Sequence, residues 1–164
     1  MTERQVEICG YVPGALGRIT ELHGTYYHRE WGFGLYFESL VATELAEFLG
    51  RLDPARDGLW LARLEGEVVG SIVIDGRLTP EEGARLRWFI LAPEVSGRGL
   101  GRQLMGEAVG FCRQAGSRRV YLWTFAGLDA ARHIYESAGF SLCKEHENDQ
   151  WGEPVTEQMF ELWL

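Results

Sequence analysis

The residues Ser96-Gly97-Arg98-Gly99-Leu100-Gly101-Arg102 carry the clearest chemical signal in this chain. Glycines at alternate positions have no Cβ, so the backbone can turn N–H groups inward and approach a ligand closely. An amphipathic segment begins directly out of the loop. A helix starting there adds its own unpaired N–H groups and the positive end of its dipole. Such a loop is a cradle for a phosphate or pyrophosphate, and the expectation is a cofactor that bears one.

Two familiar phosphate loops do not match. A Walker A loop ends in Gly-Lys-Ser/Thr, whereas this one runs Gly101-Arg102-Gln103. A dinucleotide fingerprint needs GxGxxG and an acidic residue about 20 positions on. Here Gly99-Leu100-Gly101-Arg102-Gln103-Leu104 breaks the spacing, and the next strand ends Trp123-Thr124-Phe125. A turn without a ligand rarely needs three alternating glycines.

The elements that must position the loop are readable on both sides of it. An apolar strand ends at Leu91, before Pro93, and the helix after the loop runs to about Ala115. Leu100, Leu104, Ala108 and Phe111/Cys112 line its buried face, and Gly116 stops it. Val120–Trp123 follows as a short buried strand, which makes a βαβ unit with parallel strands. Upstream, Val6, Ile8 and Val12 suggest a strand closed by Pro13-Gly14. Leu16, Ile19, Leu22/His23 and Tyr26/Tyr27 then recur at helical spacing to about Glu30, and a second helix spans about Leu35 to Leu49. Segments 58–63 and 68–74 flank Glu65-Gly66 as a β-hairpin. Downstream come a helix from Asp129 that stops at Gly139, and strands over Phe140–Cys143 and Val155–Trp163. The order is β-αα-βββ-α-β-α-ββ, in a single domain over residues 1–164.

Composition narrows the function classes. A chain of 164 residues, 46% hydrophobic and 24% charged, suits one soluble domain with its own core. No apolar run approaches the roughly 18–20 residues of a membrane span. Met1-Thr2-Glu3-Arg4-Gln5 lacks the apolar region of a secretory signal, so the expected place is the cytoplasm, with no membrane partner. A net charge of −8 argues against nucleic-acid binding and weakly favours a cationic or neutral substrate. Cys9, Cys112 and Cys143 are far apart with no CxxC pair, which fits reduced, mostly buried thiols. His23 and His28 lie five apart, off the i, i+4 spacing of a helical metal pair, so no metal is implied.

A second motif joins the loop. The helix Ala130-Ala131-Arg132-His133-Ile134-Tyr135-Glu136-Ser137-Ala138-Gly139-Phe140 and the glycine loop together resemble the GNAT family of acyl-CoA-dependent N-acyltransferases. That family's loop pattern is Arg/Gln-x-x-Gly-x-Gly/Ala, and its later pattern is Ala-x-x-(Leu/Ile)-Tyr-Glu-x-x-Gly-Phe. The element order read above is also the family's. The resemblance implies an α/β architecture, the GNAT acyl-CoA N-acyltransferase fold, with a mixed, mostly antiparallel sheet around a central parallel pair. Trp123–Ala131 and Glu145–Gly152 look closer still to GNAT domains often fused behind MarR-type winged-helix regulators, although this chain holds no winged-helix segment.

The resemblance also implies roles. Backbone N–H groups from Gly97 through Arg98, Gly99, Leu100 and Gly101 to Arg102 would hold the pyrophosphate of acetyl-CoA. Ser96 stands at the loop's first position, where Arg or Gln is usual. The backbone of Phe89, Ile90 and Leu91 would pair with the pantetheine arm, and an N–H near Leu91 would polarise the thioester carbonyl. Such a donor is typically worth about 3 kcal/mol to the oxyanion. Tyr135 aligns with the tyrosine that protonates the departing thiolate; ring packing in the core is its competing use. The asparagine often found at the start of that helix is Leu128 here. The usual glutamate of the preceding strand has no counterpart near Arg85 and Arg87, which leaves Glu38, Glu81, Glu82, His133, His146 and Glu147 as candidate bases, or a relay of the proton through water.

On the acceptor side, the early helices and late strands offer His23, Tyr26, Tyr27, His28, Trp31, Phe33, His146 and Trp151. Tyr26, Tyr27 and Trp31 are the candidates for enclosing a cationic amine; packing of the first helix on the sheet is the competing use. The expected activity is direct transfer of acetyl from acetyl-CoA to a primary amine of a small molecule or peptide, with no acyl-enzyme. A non-catalytic acetyl-CoA sensor is the rival expectation. Pairing of two copies through the edge of the last acidic strand stays open as a third.

Overall fold

The computed structural model describes residues 5–151 and 153–164. Met1, Thr2, Glu3 and Arg4, which carry most of the N-terminal reading, lie outside the described residues, as does Gly152 of the second subgroup segment. In chain order the elements are β1 (Val6–Cys9), α1 (Ala15–Trp31), α2 (Leu35–Gly50), β2 (Gly58–Leu64), β3 (Glu67–Asp75) and β4 (Ala84–Leu91). They continue with α3 (Leu100–Gln114), β5 (Arg119–Phe125), α4 (Asp129–Ser137), β6 (Ser141–Asn148) and β7 (Val155–Trp163). Among the described residues seven strands form one sheet in the order β1-β2-β3-β4-β5-β7-β6. Every neighbouring pair is antiparallel except β4 and β5. The expected order and central parallel pair are both present.

Strand alternation decides which helices cover which face. Leu59 and Leu61 of β2 and Val68 and Val73 of β3 pack with Ile19 of α1 and Leu45 and Phe48 of α2. Ala62, Val69, Ile72 and Ile74 turn the other way, toward Leu100, Leu104, Ala108 and Cys112 of α3. Each such large apolar side chain, once buried, stabilises the fold by about 1.5–3 kcal/mol. Thus α1 and α2 cover one face, and α3 and α4 cover the other.

Several strands differ from the sequence reading: β1 stops at Cys9, short of Val12, and β6 runs past Cys143 to Asn148. The last strand, β7, is not an edge: it runs between β5 and β6, using both of its hydrogen-bonding sides. Edge pairing of two copies through β7 is therefore excluded; the edges are β1 and β6. β5 is longer than Val120–Trp123 and only alternately buried, with Val120, Leu122 and Thr124 inside and Trp123 partly exposed.

The parallel pair is brief. β4 meets β5 only at Ala84↔Val120 and Arg85↔Tyr121. Beyond that point β4 follows β3 to Leu91, while β5 follows β7 to Phe125. A β-bulge drives the parting. Ser71 faces Ile90 but Val73 faces Arg87, so Ile72 stands against both Trp88 and Phe89. The extra residue bends β4 and increases its twist. Trp88 takes φ 44°, a left-handed conformation that costs a bulky residue about 1–3 kcal/mol. Its surroundings hold it there. The Ser71 hydroxyl donates to the Trp88 carbonyl at 2.7 Å, and the Arg87 guanidinium lies over the indole at 4.0 Å.

Candidate active site

The split between β4 and β5 opens two cavities that meet inside the sheet. One, of about 420 Å³, runs from Ser96 and Leu91 past Gly127–Ala131 at the start of α4. The other, of about 550 Å³, lies on the α1–α2 face over β4, β5 and β7. Tyr27, Phe89 and Tyr135 line both.

The glycine loop stands at the outer end of the smaller cavity. Among the described residues, the N–H groups of 97–102 donate to no backbone carbonyl; the first such bond in α3 is Gln103 N–H to Gly99 at 3.1 Å. Gly97 and Gly99 take φ 79° and 78°, where any side chain would be strained, and a Cβ there would meet only open space. Gly101 does different work. Its Cβ would lie 2.7 Å from Ile134 Cδ1 and 3.4 Å from Leu91 Cδ1 and Phe89 Cζ, so its bareness lets α3 pack on α4 and β4. Together, successive free amides and a helix N-terminus form a site for an anionic diphosphate. The residues present fit such a group.

β4 adds a further donor. Ala92 N–H bonds the Val69 carbonyl on β3 at 2.7 Å. Amides alternate sides along a strand, so the Leu91 N–H faces the opened gap instead.

Tyr135 belongs to α4, on one face of the sheet, yet reaches the cavity on the other because no paired backbone blocks the gap. Its ring is buried against Phe89, Phe140 and Phe160, with centroids 5.9–6.2 Å apart. Burial pushes the phenol's pKa above its ordinary value, against a smaller lowering from the Thr124 hydroxyl of β5. The group therefore keeps its proton throughout the neutral range.

The larger cavity is walled by aromatic rings and a few charged groups. Tyr27 packs on Phe33 and Phe37, and burial raises its phenol's pKa. His23 Nδ1–H donates to the Ile19 carbonyl at 2.8 Å, since a carbonyl only accepts; the neutral ring's Nε2 is then a lone-pair acceptor. Burial lowers the His23 pKa to about 4. Arg85 and Arg87 of β4 line one wall. Glu157 of β7 lines another, accepting from Trp151 Nε1 at 2.9 Å and Asn148 Nδ2 at 3.2 Å while pairing with His146 at 2.9 Å.

A brief parallel pair that parts over a glycine loop is matched by a family model: residues 16–140 fit the family described as acetyltransferase (GNAT). The chain belongs to the GNAT family. Among its relatives, the uncharacterized N-acetyltransferase YjgM of Escherichia coli K12 is 35% identical over 86 residues, 49% of this chain and 49% of that protein. The uncharacterized N-acetyltransferase MJ1207 of Methanocaldococcus jannaschii is 24% identical over 119 residues, 70% of this chain and 53% of that protein. The chain spans about half the length of these curated relatives. The crystal structure of yncA from Salmonella typhimurium, which holds its cofactor acetyl-CoA, superposes with a TM-score of 0.72 at 16% identity, covering 97% of this chain and 94% of that one.

Around these two cavities the residues named from sequence separate. Phe89, Ile90, Leu91 and Ser96 line the smaller cavity, and Gly97–Arg102 form the loop at its end. Arg98 is exposed, and Arg102 donates to His133 Nε2 at 3.2 Å. Tyr27 faces both cavities, whereas Tyr26 faces only the smaller of these two. Trp31 faces neither: it packs on Phe33 and Phe125 and covers Gly127. None of Glu38, Glu81, Glu82, His133, His146 and Glu147 lines either cavity. Glu81 and Glu82 lie at the opposite end of β4. Thr124, Glu157 and the Ser71–Trp88 bulge escaped the sequence reading. Arg85 and Arg87, two charges in an otherwise apolar strand, were the available signal for that wall.

Proposed function

We propose that this GNAT protein transfers acetyl from acetyl-CoA directly to a primary amine of a small molecule or peptide. The observation that carries the proposal is the Tyr135 hydroxyl at the junction of two cavities, one leading to the glycine loop and the other to solvent on the α1–α2 face. Amides 97–102 would hold the diphosphate, and β4 from Phe89 to Leu91 would lie along the pantetheine arm. The amine enters through the larger cavity and attacks the thioester carbon. The resulting oxyanion accepts from the Leu91 N–H. As the C–S bond breaks, Tyr135 donates to the thiolate, and the nitrogen gives up its extra proton to solvent through the larger cavity. His23 presents a lone pair to the same cavity.

The likeness to domains that accompany MarR-type regulators involves Trp123–Ala131 and the segment from Glu145, both of which border the cavities. Of the three free cysteines only Cys112 is buried, Cys9 being half-buried and Cys143 exposed, which corrects the expectation of mostly buried thiols; free thiols suit a reducing compartment, and we place the reaction in the cytoplasm. No helix among the described residues is long and apolar enough to cross a membrane.

The test is CoA release from acetyl-CoA with a panel of primary amines, followed by a thiol reagent, with the acetylated product identified by mass. Release above the amine-free rate is expected. Calorimetric binding of acetyl-CoA with no release for any amine would leave a sensor in place of an enzyme. No binding at millimolar concentration would overturn both.

A further inference from the structure

Arg85 and Arg87 stand two residues apart on β4 and so point to the same side of the sheet. Their partners differ. Arg87 binds Glu44 at 2.6 Å and Asp75 at 3.5 Å. Arg85 faces Asp75 in the β3–β4 register, yet Arg51 takes that carboxylate at 2.7 and 3.3 Å, and the Arg77 N–H adds a bond at 3.3 Å. Among the described residues no carboxylate lies within ion-pair distance of Arg85, and its buried Nε has no hydrogen-bond partner. The other charged groups lining the cavity are engaged: Glu44 by Arg87, and Glu157 by Trp151, Asn148 and His146.

An uncompensated guanidinium at the wall of an aromatic cavity is costly unless something anionic meets it. Its planar fork matches a carboxylate through two parallel hydrogen bonds. We propose that Arg85 anchors a carboxylate on the acceptor, so that this site takes amines that also carry a carboxylate, amino acids among them. The proposal rests on the acetyl-transfer reading of the same cavity.

The test uses matched pairs. Turnover is compared for glycine, glutamate and phenylalanine against their α-carboxamides, with wild type, Arg85→Gln and Arg85→Lys. Wild type should favour at least one carboxylate over its amide by tenfold or more in kcat/KM. Arg85→Gln should reduce that ratio to within about twofold by raising KM, and Arg85→Lys should keep part of it. A second readout needs no turnover: N-acetylated forms of the same three compounds and their amides are titrated against the emission of Trp88, Trp123 and Trp151, which line the cavity. A carboxylate preference lost in Arg85→Gln supports the anchor even if no amine is acetylated, which separates this proposal from the transferase reading. Equal binding of acids and amides, or a preference that survives Arg85→Gln, overturns it.

Discussion

Tyr135→Phe tests the proposed chemistry with little damage to the fold. The ring stays packed among Phe89, Phe140 and Phe160, and only the hydroxyl's interaction with Thr124 is lost, a stability cost of at most about 1 kcal/mol. The size of the catalytic loss follows from the hydroxyl's environment. Burial raises its pKa above the usual value of about 10, so it is a weaker acid than an ordinary thiol near 8.5. Complete proton transfer ahead of C–S cleavage is uphill. What remains is a hydrogen bond to a developing anion, worth about 1.5–3 kcal/mol. That corresponds to a fall in kcat of about 10- to 150-fold, at or below the lower end of general acid catalysis. CoA release at saturating acetyl-CoA and amine measures kcat, and calorimetry measures acetyl-CoA affinity, which should change less than twofold. The wild-type kcat should show no alkaline limb from this tyrosine below about pH 10. An unchanged kcat, or an equal loss of acetyl-CoA affinity, would refute the assigned role.

Other perturbations probe the frame. Gly101→Val forces a Cβ to within 2.7 Å of Ile134 Cδ1. It should cost about 1–3 kcal/mol and lower Tm by several degrees, and an unaltered melting curve would count against close α3–α4 packing. His23 has its folded pKa depressed from 6.5 to about 4, so its contribution is intact above pH 6.5 and disappears as pH falls toward 4. Urea unfolding should show wild type losing about 3 kcal/mol more than His23→Phe over that interval, and parallel curves would exclude the effect. Ser71→Ala leaves the Trp88 carbonyl without its donor and should destabilise by about 1–3 kcal/mol; an unchanged urea midpoint would show that the bulge holds without this bond.

The element order, the helix behind the glycine loop and the family were legible in the residues, because each rests on local pattern. Leu100, Leu104, Ala108 and Cys112 mark one buried stripe by spacing alone, and all four are buried. Alternating glycines mark a special backbone wherever they occur, although the separate packing role of Gly101 needed Ile134 from another helix. The β4–β5 split has no local mark, since nothing in Leu86–Phe89 announces that a tryptophan will adopt φ 44°. That conformation is held by Ser71 and by an arginine over the ring. Trp31 and Tyr27 look alike as aromatics on one helix, yet only Tyr27 faces the gap. Arg85 has no carboxylate within ion-pair distance because Asp75, directly across from it, is shared between Arg51, 24 residues earlier in the chain, and Arg87. Local chemistry thus set the strands, helices and loop, while the cavities and their charges arose from contacts between residues far apart in the chain, where competition for each partner is resolved only on folding.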